Sequence, residues 1–522
     1  MKKIFKMKRV LITLQILLVG ILLMTTQPSC TKLDEKVYSE LTADKFFADT
    51  NNLIYAFGLT YTNLYDLVGH KYGMVGMDCG TDELVVPQRG GDWYDGGEWI
   101  RLHRLEYSPT ENYFNHWWNN IYSGINTCNQ LIDQFTSLTD VNTESAVAEL
   151  RALRALYYYW LVDKFGNVPI VDKFDVPSDY KPATNTRQEV YDFIEKELLE
   201  SMPDLSKETG LLFYGRVNYY VAQMVLAKLY LNAEVYTGTP QWEKAGAACD
   251  SIIESGKFSL QADYFSSFQE DGSSSQEIIM GVPFDMIQAQ GFEIHLFTLH
   301  YNLQQKFGLL SATWNGICAQ EDFFNTFEDN DARKEGLLSG FQYNDDGTAI
   351  TDPNYEKFDP NNPTKPKDPD GAPLNLSPNV NQLEPNCLRQ CGARVAKFPF
   401  ISGSERYTSN DFPIFRFADV LLMKAETLLR MGDAGSALPL VNEVRTRAGV
   451  DPFTELNLDN LLAERGRELF AEGYRRSDLI RFGKFLDTRW EKPNVSDAYT
   501  ELWPIPQSQI DVNSNLIQNP GY

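Results

Sequence analysis

LYLNAEVYTGTPQWEKA (residues 229–245) and LLMKAETLLRMGDAGSA (residues 421–437) align along their whole length. Each reads as the end of an apolar helix, an Ala-Glu pair, a glycine turn, and an alanine about a dozen residues beyond the pair. Stacked units of this kind arise when no single helix pair buries its own apolar face, and the similarity is of the tetratricopeptide (TPR) kind without its full consensus. Working outward, helical periodicity covers residues 215–238, breaks at Thr239–Pro240, and resumes over 241–256. The second copy extends over 415–433, 434–450 and 458–485. Residues 146–166 carry Leu150, Leu153, Leu156 or Tyr157, and Trp160 or Leu161 on one stripe, and residues 186–202 repeat the pattern until Pro203 stops it. The predicted fold is mainly α: a TPR-like helical hairpin scaffold, about 146–256 and 413–486, carrying a large loop-rich ligand-binding face.

Two blocks supply that face, about 69–110 and 257–400. The second has short apolar runs such as EIIMGV (277–282) and a centre, residues 351–373, with six prolines and no periodicity, read as a long surface excursion. The first holds GGDWYDGGEW (90–99), two tryptophans and a tyrosine among four glycines. Glycines disfavour an amphipathic helix here. Arg89, Asp92, Asp95 and Glu98 set hydrogen-bonding groups beside Trp93, Tyr94 and Trp99. Flat apolar faces rimmed by polar groups suit the C–H face and hydroxyls of a sugar. SATWNG (311–316) repeats the theme with Trp314 beside Asn315 and Gly316. The competing reading has these rings wedge the loops onto the helical body. Trp117, Trp118 and Trp160 lie in periodic stretches and are expected in the core.

The chain opens on KKIFKMKR, an apolar run over 10–24, and TTQPSC ending at Cys30. That is the anatomy of an export signal, here residues 1–29, with Cys30 as a lipidated cysteine and 30–38 as a tether to a single domain over 39–522. Several acyl chains would anchor a soluble body stably. Removing residues 1–29 takes away five basic residues and moves the formal charge from −24 to −29. Such a surface is unsuited to nucleic acid, which is bound by lysine and arginine. Six cysteines remain, too few for a disulfide scaffold. Cys387 and Cys391 are open to either a small bridge or two buried thiols.

The sequence has no GxSxG elbow, HExxH, Walker loop or GxGxxG after a strand. His70, His103, His116, His295 and His300 lack metal-ligand spacing, and no metal site or cofactor is expected. Asp329, Asp331, Asp345 and Asp346 have the oxygens for a structural calcium but not EF-hand order, and read more simply as solvated acids. Arg465, Arg467, Glu468, Glu472, Arg475, Arg476, Asp478 and Arg481 alternate in sign while Leu469, Phe470, Leu479, Ile480 and Phe482 keep helix spacing. The pattern reads as a helix–turn–helix pinned by ion pairs rather than a phosphate site.

Several phrases in order carry a family resemblance: LDEKVYSELTADKFF, RALRALYYYWLVDKFGNVPIV, LAKLYLNAEVYTG, PIFRFADVLLMKAETL, NEVRTRAGV, ERGRELFAEGYRRSDLIRFGKF and the tail LWPIPQSQIDVNSNLIQNPGY. The chain resembles the SusD/RagB family of outer-membrane nutrient-binding lipoproteins of Bacteroidetes-type bacteria, over nearly its whole length. The resemblance implies one helical body with a loop-rich ligand face. It also implies a surface-exposed, lipid-anchored place in the outer membrane, over a TonB-dependent SusC-like transporter. Members capture oligosaccharides without cleaving them, so no enzyme is expected. The resemblance points to Trp93, Tyr94 and Trp314 as the binding residues, with Arg89, Asp92, Trp99, Tyr301 and Asn315 as further candidates. Starch specificity does not transfer with it. Peptide or protein binding is the alternative function, and a glycoside hydrolase with unrecognised carboxylates the least favoured.

Overall fold

The computed structural model describes residues 50–138, 142–351 and 374–522. The export segment, Cys30, the tether and most of the proline-rich excursion lie outside the described residues. The principal helices are α1 (Thr50–Gly69), α2 (Glu98–Arg104), α3 (Asn112–Thr136), α4 (Glu144–Lys164), α5 (Arg187–Ser201) and α6 (Tyr219–Leu231). They continue with α7 (Trp242–Ile253), α8 (Phe417–Arg430), α9 (Ala434–Arg447), α10 (Leu458–Leu469) and α11 (Arg475–Arg481). Neighbours pack in succession: α1 on α3, α3 on α4, α4 on α5, then α6 on α7, α7 on α8 and α8 on α9, with α10 against α8 and α9. The fold is mainly α, as expected.

Small residues set the crossings. A Cβ on Gly124 of α3 would lie 2.4 Å from the Tyr157 ring of α4, so only glycine fits there. The aligned alanines Ala233, Ala245, Ala425 and Ala437 are all fully buried. The turn glycines Gly238 and Gly432 sit at φ +75° and +89°, the left-handed geometry that closes a helix. The two copies diverge at the Ala-Glu pair. In the first, the helix breaks at Asn232 and Glu234 is exposed; in the second, α8 runs through the pair and Glu426 is buried against Arg481 and Arg430, at 2.7 and 2.8 Å. The same Ala-Glu pair thus sits in two environments, solvent in one copy and an ion-pair lattice in the other.

Among the described residues the strands form antiparallel pairs: β1 (Leu84–Val85) with β3 (Cys318–Ala319), β2 (Ile278–Val282) with β8 (Phe412–Arg416), β4 (Leu337–Leu338) with β7 (Arg394–Val395), and β5 (Gly340–Phe341) with β6 (Asn375–Leu376). The predicted helix beginning at Phe415 is shorter than expected, because Phe412–Arg416 extends to pair with the buried EIIMGV run. The register sets Ile278 opposite Arg416 and Val282 opposite Phe412.

The charged segment 465–481 is two helices, α10 and α11, joined through left-handed Ala471 and Gly473, at φ +58° and +79°. Its charges point inward. Arg465 meets Asp478 at 2.7 Å and Asp419 at 3.0 Å, and Arg481 binds Glu426 and Asp478. Glu468 faces Arg333, Arg416 and Arg447. Burial alone would raise its carboxyl; the guanidiniums of Arg447, Arg416 and Arg333 outweigh burial and hold it at about 2. Lys228 of α6 binds Asp419 of α8, so the lattice links both hairpin blocks. Trp117, Trp118 and Trp160 are core residues, as their periodicity predicted. Cys387 and Cys391 are free buried thiols, which closes the alternative left open. No helix among the described residues is long and apolar enough to cross a membrane.

Candidate functional site

The Trp93 loop begins as a tight hairpin. Arg89 and Asp92 exchange backbone hydrogen bonds at 2.9 and 3.2 Å around Gly90 at φ +67°. Trp93 itself is left-handed at φ +61°, a conformation uncommon for a bulky residue. Gly96 and Gly97, at φ +66° and +84°, then turn the chain into α2. The Trp314 loop is laced to the segment beside it: the amides of Trp314, Asn315 and Gly316 donate to the carbonyls of Leu296, Leu299 and Phe297 at 2.7, 2.9 and 2.8 Å.

These loops, 221 residues apart, are joined directly. The Trp93 indole Nε1–H donates to the Trp314 carbonyl at 2.7 Å. Gly316 makes room for the contact, since a Cβ there would lie 2.6 Å from the Trp93 ring and 2.8 Å from Phe297. Beneath them the Arg89 guanidinium donates to the carbonyls of Asn315 (2.9 Å), Cys391 (3.0 Å) and Leu388. The Asn315 carboxamide accepts from Arg394 at 2.8 Å and donates to the Arg389 carbonyl at 2.9 Å. Buried polar groups must be satisfied in this way.

The result is an open cleft of about 450 Å³ lined by Trp93, Trp314, Asp92, Asp95, Tyr301, Thr313, His70, Lys71, Glu293 and Arg406. The Tyr301 hydroxyl donates to Asp92 at 2.5 Å. Burial, then that carboxylate, push its phenol well above the usual range, so it remains a donor. Lys71 Nζ lies 5.4 Å from the Trp93 ring centroid and 3.7 Å from Asp95. Arg406 binds Glu293 at 3.1 Å. Burial raises the Glu293 carboxyl against the opposing pull of the Lys71 amide and Arg406. His70 is lowered to about 3 by burial, then by stacked His116 and the cations Lys71 and Arg406, and is neutral.

Of the residues singled out in the sequence, Trp93, Trp314, Asp92 and Tyr301 converge on this cleft. Tyr94 is 51% exposed but is not part of its lining. Trp99, Arg89 and Asn315 lie below the surface, at 1%, 2% and 0% exposure. Trp99 is a core residue because α2 starts at Glu98, which turns its indole onto Tyr72, 5.4 Å between centroids, with Nε1–H donating to Asp95. Arg89 and Asn315 position the two loops from below rather than face a ligand. Lys71, Thr313, Glu293, Arg406 and His70 were not foreseen as binding residues. They are isolated polar residues in sequence, and only the fold collects them. Of the acids read as solvated, Asp331 is instead buried on Arg333, while Asp329 binds Lys334 and Asp346 binds Thr348. No group of three or more His, Cys, Asp or Glu among the described residues could hold a metal.

Fold and site together define a helical-repeat binding protein with a ligand face made of loops. Residues 255–522 match the model of the SusD family, and residues 33–231 match a model described as starch-binding associating with outer membrane. The chain belongs to the SusD family of outer-membrane glycan-binding proteins, whose members are not catalytic. It is 27% identical to the starch-binding protein SusD of Bacteroides thetaiotaomicron, over 88% of each chain. It is 24% identical to the SusD-like protein P25 of Formosa agariphila, over 88% of this chain and 90% of that one. Among solved structures, surface glycan-binding protein A of Bacteroides thetaiotaomicron shares the fold at TM-score 0.72, with 24% identity over 91% of this chain and 100% of that one. A laminarin-binding SusD-like protein does so at TM-score 0.70, with 22% identity over 91% of this chain and 99% of that one.

Proposed function

We propose that this protein captures oligosaccharides in the Trp93–Trp314 cleft at the outer membrane, without cleaving them. It then passes them to a SusC-like TonB-dependent transporter, while acyl chains on Cys30 hold it at the surface. The observation that carries the reading is the union of two distant tryptophan loops at one cleft by the Trp93 Nε1–H to Trp314 carbonyl bond. Rings held by hydrogen bonds are prepaid in entropy and can receive a sugar's C–H face. Asp92, Tyr301 and Lys71 beside them supply acceptors and donors for hydroxyls. The names of relatives, starch-binding, laminarin-binding and surface glycan-binding, favour the same ligand class.

The test is a glycan array followed by affinity-gel retardation with wild type and Trp93→Ala/Trp314→Ala. Retardation by at least one polysaccharide and its loss in the double variant are expected. Undiminished retardation of the variant rejects the cleft, and no glycan ligand for the wild type favours a peptide. Purification from the outer membrane without a TonB-dependent barrel would reject the partner.

A further inference from the structure

A second, larger cavity of about 740 Å³ opens on the other side of Tyr301, which lines both. Its described lining comes from Tyr301 and Asn302, from Gln304, Gln305 and Gly308 to Leu310 in the loop that follows, and from Asn344 and Ala349 to Thr351 of the facing hairpin. The walls are fixed. Gln304 donates to the Leu309 carbonyl at 3.1 Å, Asn302 donates to the Thr351 carbonyl at 2.7 Å, and the Asn344 and Thr348 backbones pair at 2.9 Å. Leu309 and Ile350 belong to a buried apolar cluster that forms its floor.

The chemistry of this lining is selective. Among the described residues it contains the carboxamides of Asn302, Gln304, Gln305 and Asn344, and no carboxylate, ammonium or guanidinium. A carboxamide both donates and accepts, as a hydroxyl does. Leu310 is 64% exposed while its amide is anchored to the Ser404 carbonyl at 2.8 Å, an apolar surface held in place. Lys306 of the same loop donates to the Gln342 carboxamide at 2.9 Å and is not part of the lining, so a carboxylate or sulfate entering here would lose water without meeting a cation among the described lining residues. Across Tyr301, Lys71 and Arg406 already face Asp95 and Glu293. The formal charge of −24 adds a general repulsion of polyanions.

We propose that this cavity is a run of further saccharide subsites, continuous with the tryptophan cleft across Tyr301, and that the chain spanning both is a neutral glycan. The proposal rests on the glycan reading of the first cleft. It predicts that affinity depends on length beyond what the tryptophans grip.

The test is calorimetry on the intact soluble protein with neutral malto-, laminari-, xylo-, manno- and fructo-oligosaccharides, from disaccharide to heptasaccharide, and with oligogalacturonides of matched length. For the series that binds, affinity should rise about tenfold or more from trisaccharide to hexasaccharide. Gln305→Ala/Asn344→Ala, at two exposed positions, should remove that rise and leave trisaccharide affinity unchanged. Trp93→Ala/Trp314→Ala should weaken every length. An undiminished rise in the Gln305/Asn344 variant overturns the proposal, as does tighter binding of an oligogalacturonide than of its neutral counterpart. Loss of long-chain binding in that variant with none in the tryptophan variant rejects the tryptophan cleft but sustains this cavity as a saccharide site. Absence of any oligosaccharide binding by the wild type overturns both readings.

Discussion

Glu468 is fully buried and faces three guanidiniums, those of Arg333, Arg416 and Arg447; Arg406, in the cleft, is 57% exposed at its side chain and meets the single carboxylate of Glu293. Both regions set cations against carboxylates, yet they use them differently. In the lattice, each charge has left water and is held by several partners, so losing one leaves the others unpaired in a dry interior. In the cleft, Arg406, Asp92 and Asp95 are exposed, so water already satisfies part of each and a ligand hydroxyl can replace it at little cost. The lattice welds helices together, and the cleft keeps groups available. Dehydration is what separates the two roles.

That contrast can be broken by substitution. Glu468→Ala should have the largest effect, a loss of about 3–5 kcal/mol in chemical denaturation, with the glycan affinity of the folded fraction unchanged. A loss below about 1 kcal/mol would mean the lattice is wet. The pH dependence has a definite sign. Because the Glu468 carboxyl is held at about 2 against an ordinary value of 4.5, its contribution is complete above pH 4.5 and disappears as pH falls towards 2. The stability gap between wild type and Glu468→Gln should therefore narrow over that window.

Gly316→Ala comes next. Its Cβ would intrude on the Trp93 and Phe297 rings, an overpacking cost of about 1–3 kcal/mol, and glycan affinity should fall because Trp93 shifts. A crystal structure of the variant with Trp93 unmoved and full affinity would contradict the account. Tyr301→Phe removes one hydroxyl from Asp92 and should cost about 1 kcal/mol in binding, read by calorimetry. Lys244→Ala breaks an exposed pair with Glu195 on the scaffold surface and should change stability by less than about 0.5 kcal/mol. Between about pH 7 and pH 9, glycan affinity should stay nearly flat, since His70 is held low and Tyr301 high.

Much of the scaffold was legible in the sequence. Residues 186–202 carried their stripe and Pro203 as a stop, and α5 spans Arg187–Ser201, opened by a Thr186–Glu189 capping box that the structure adds. The charged run 465–481 announced that it is held by ion pairs, and Arg481 meets Asp478 at the expected i,i+3 spacing. Most partners, such as Asp419 for Arg465, Arg333, Arg416 and Arg447 for Glu468 and Asp82 for Arg475, lie in distant segments that local spacing does not reveal. The strand Phe412–Arg416 was missed because its partner lies more than a hundred residues away. The cleft was half legible. Trp93 and Trp99 have similar glycine-rich surroundings, and nothing local says that one faces solvent and the other the core.

Sequence by itself determined the helices of the scaffold from about residue 146 onward, their stops, the small residues at their crossings and the presence of aromatic loops, because these follow from local spacing and backbone sterics. The helices Thr50–Gly69 and Asn112–Thr136 extend that scaffold beyond the sequence reading. Tertiary structure decided which tryptophans face the cleft, which arginines lie beneath it, and that Lys71, Glu293, Arg406 and Tyr301 meet there. Those outcomes depend on contacts between segments hundreds of residues apart, where burial and hydrogen-bond satisfaction, rather than periodicity, choose the partner.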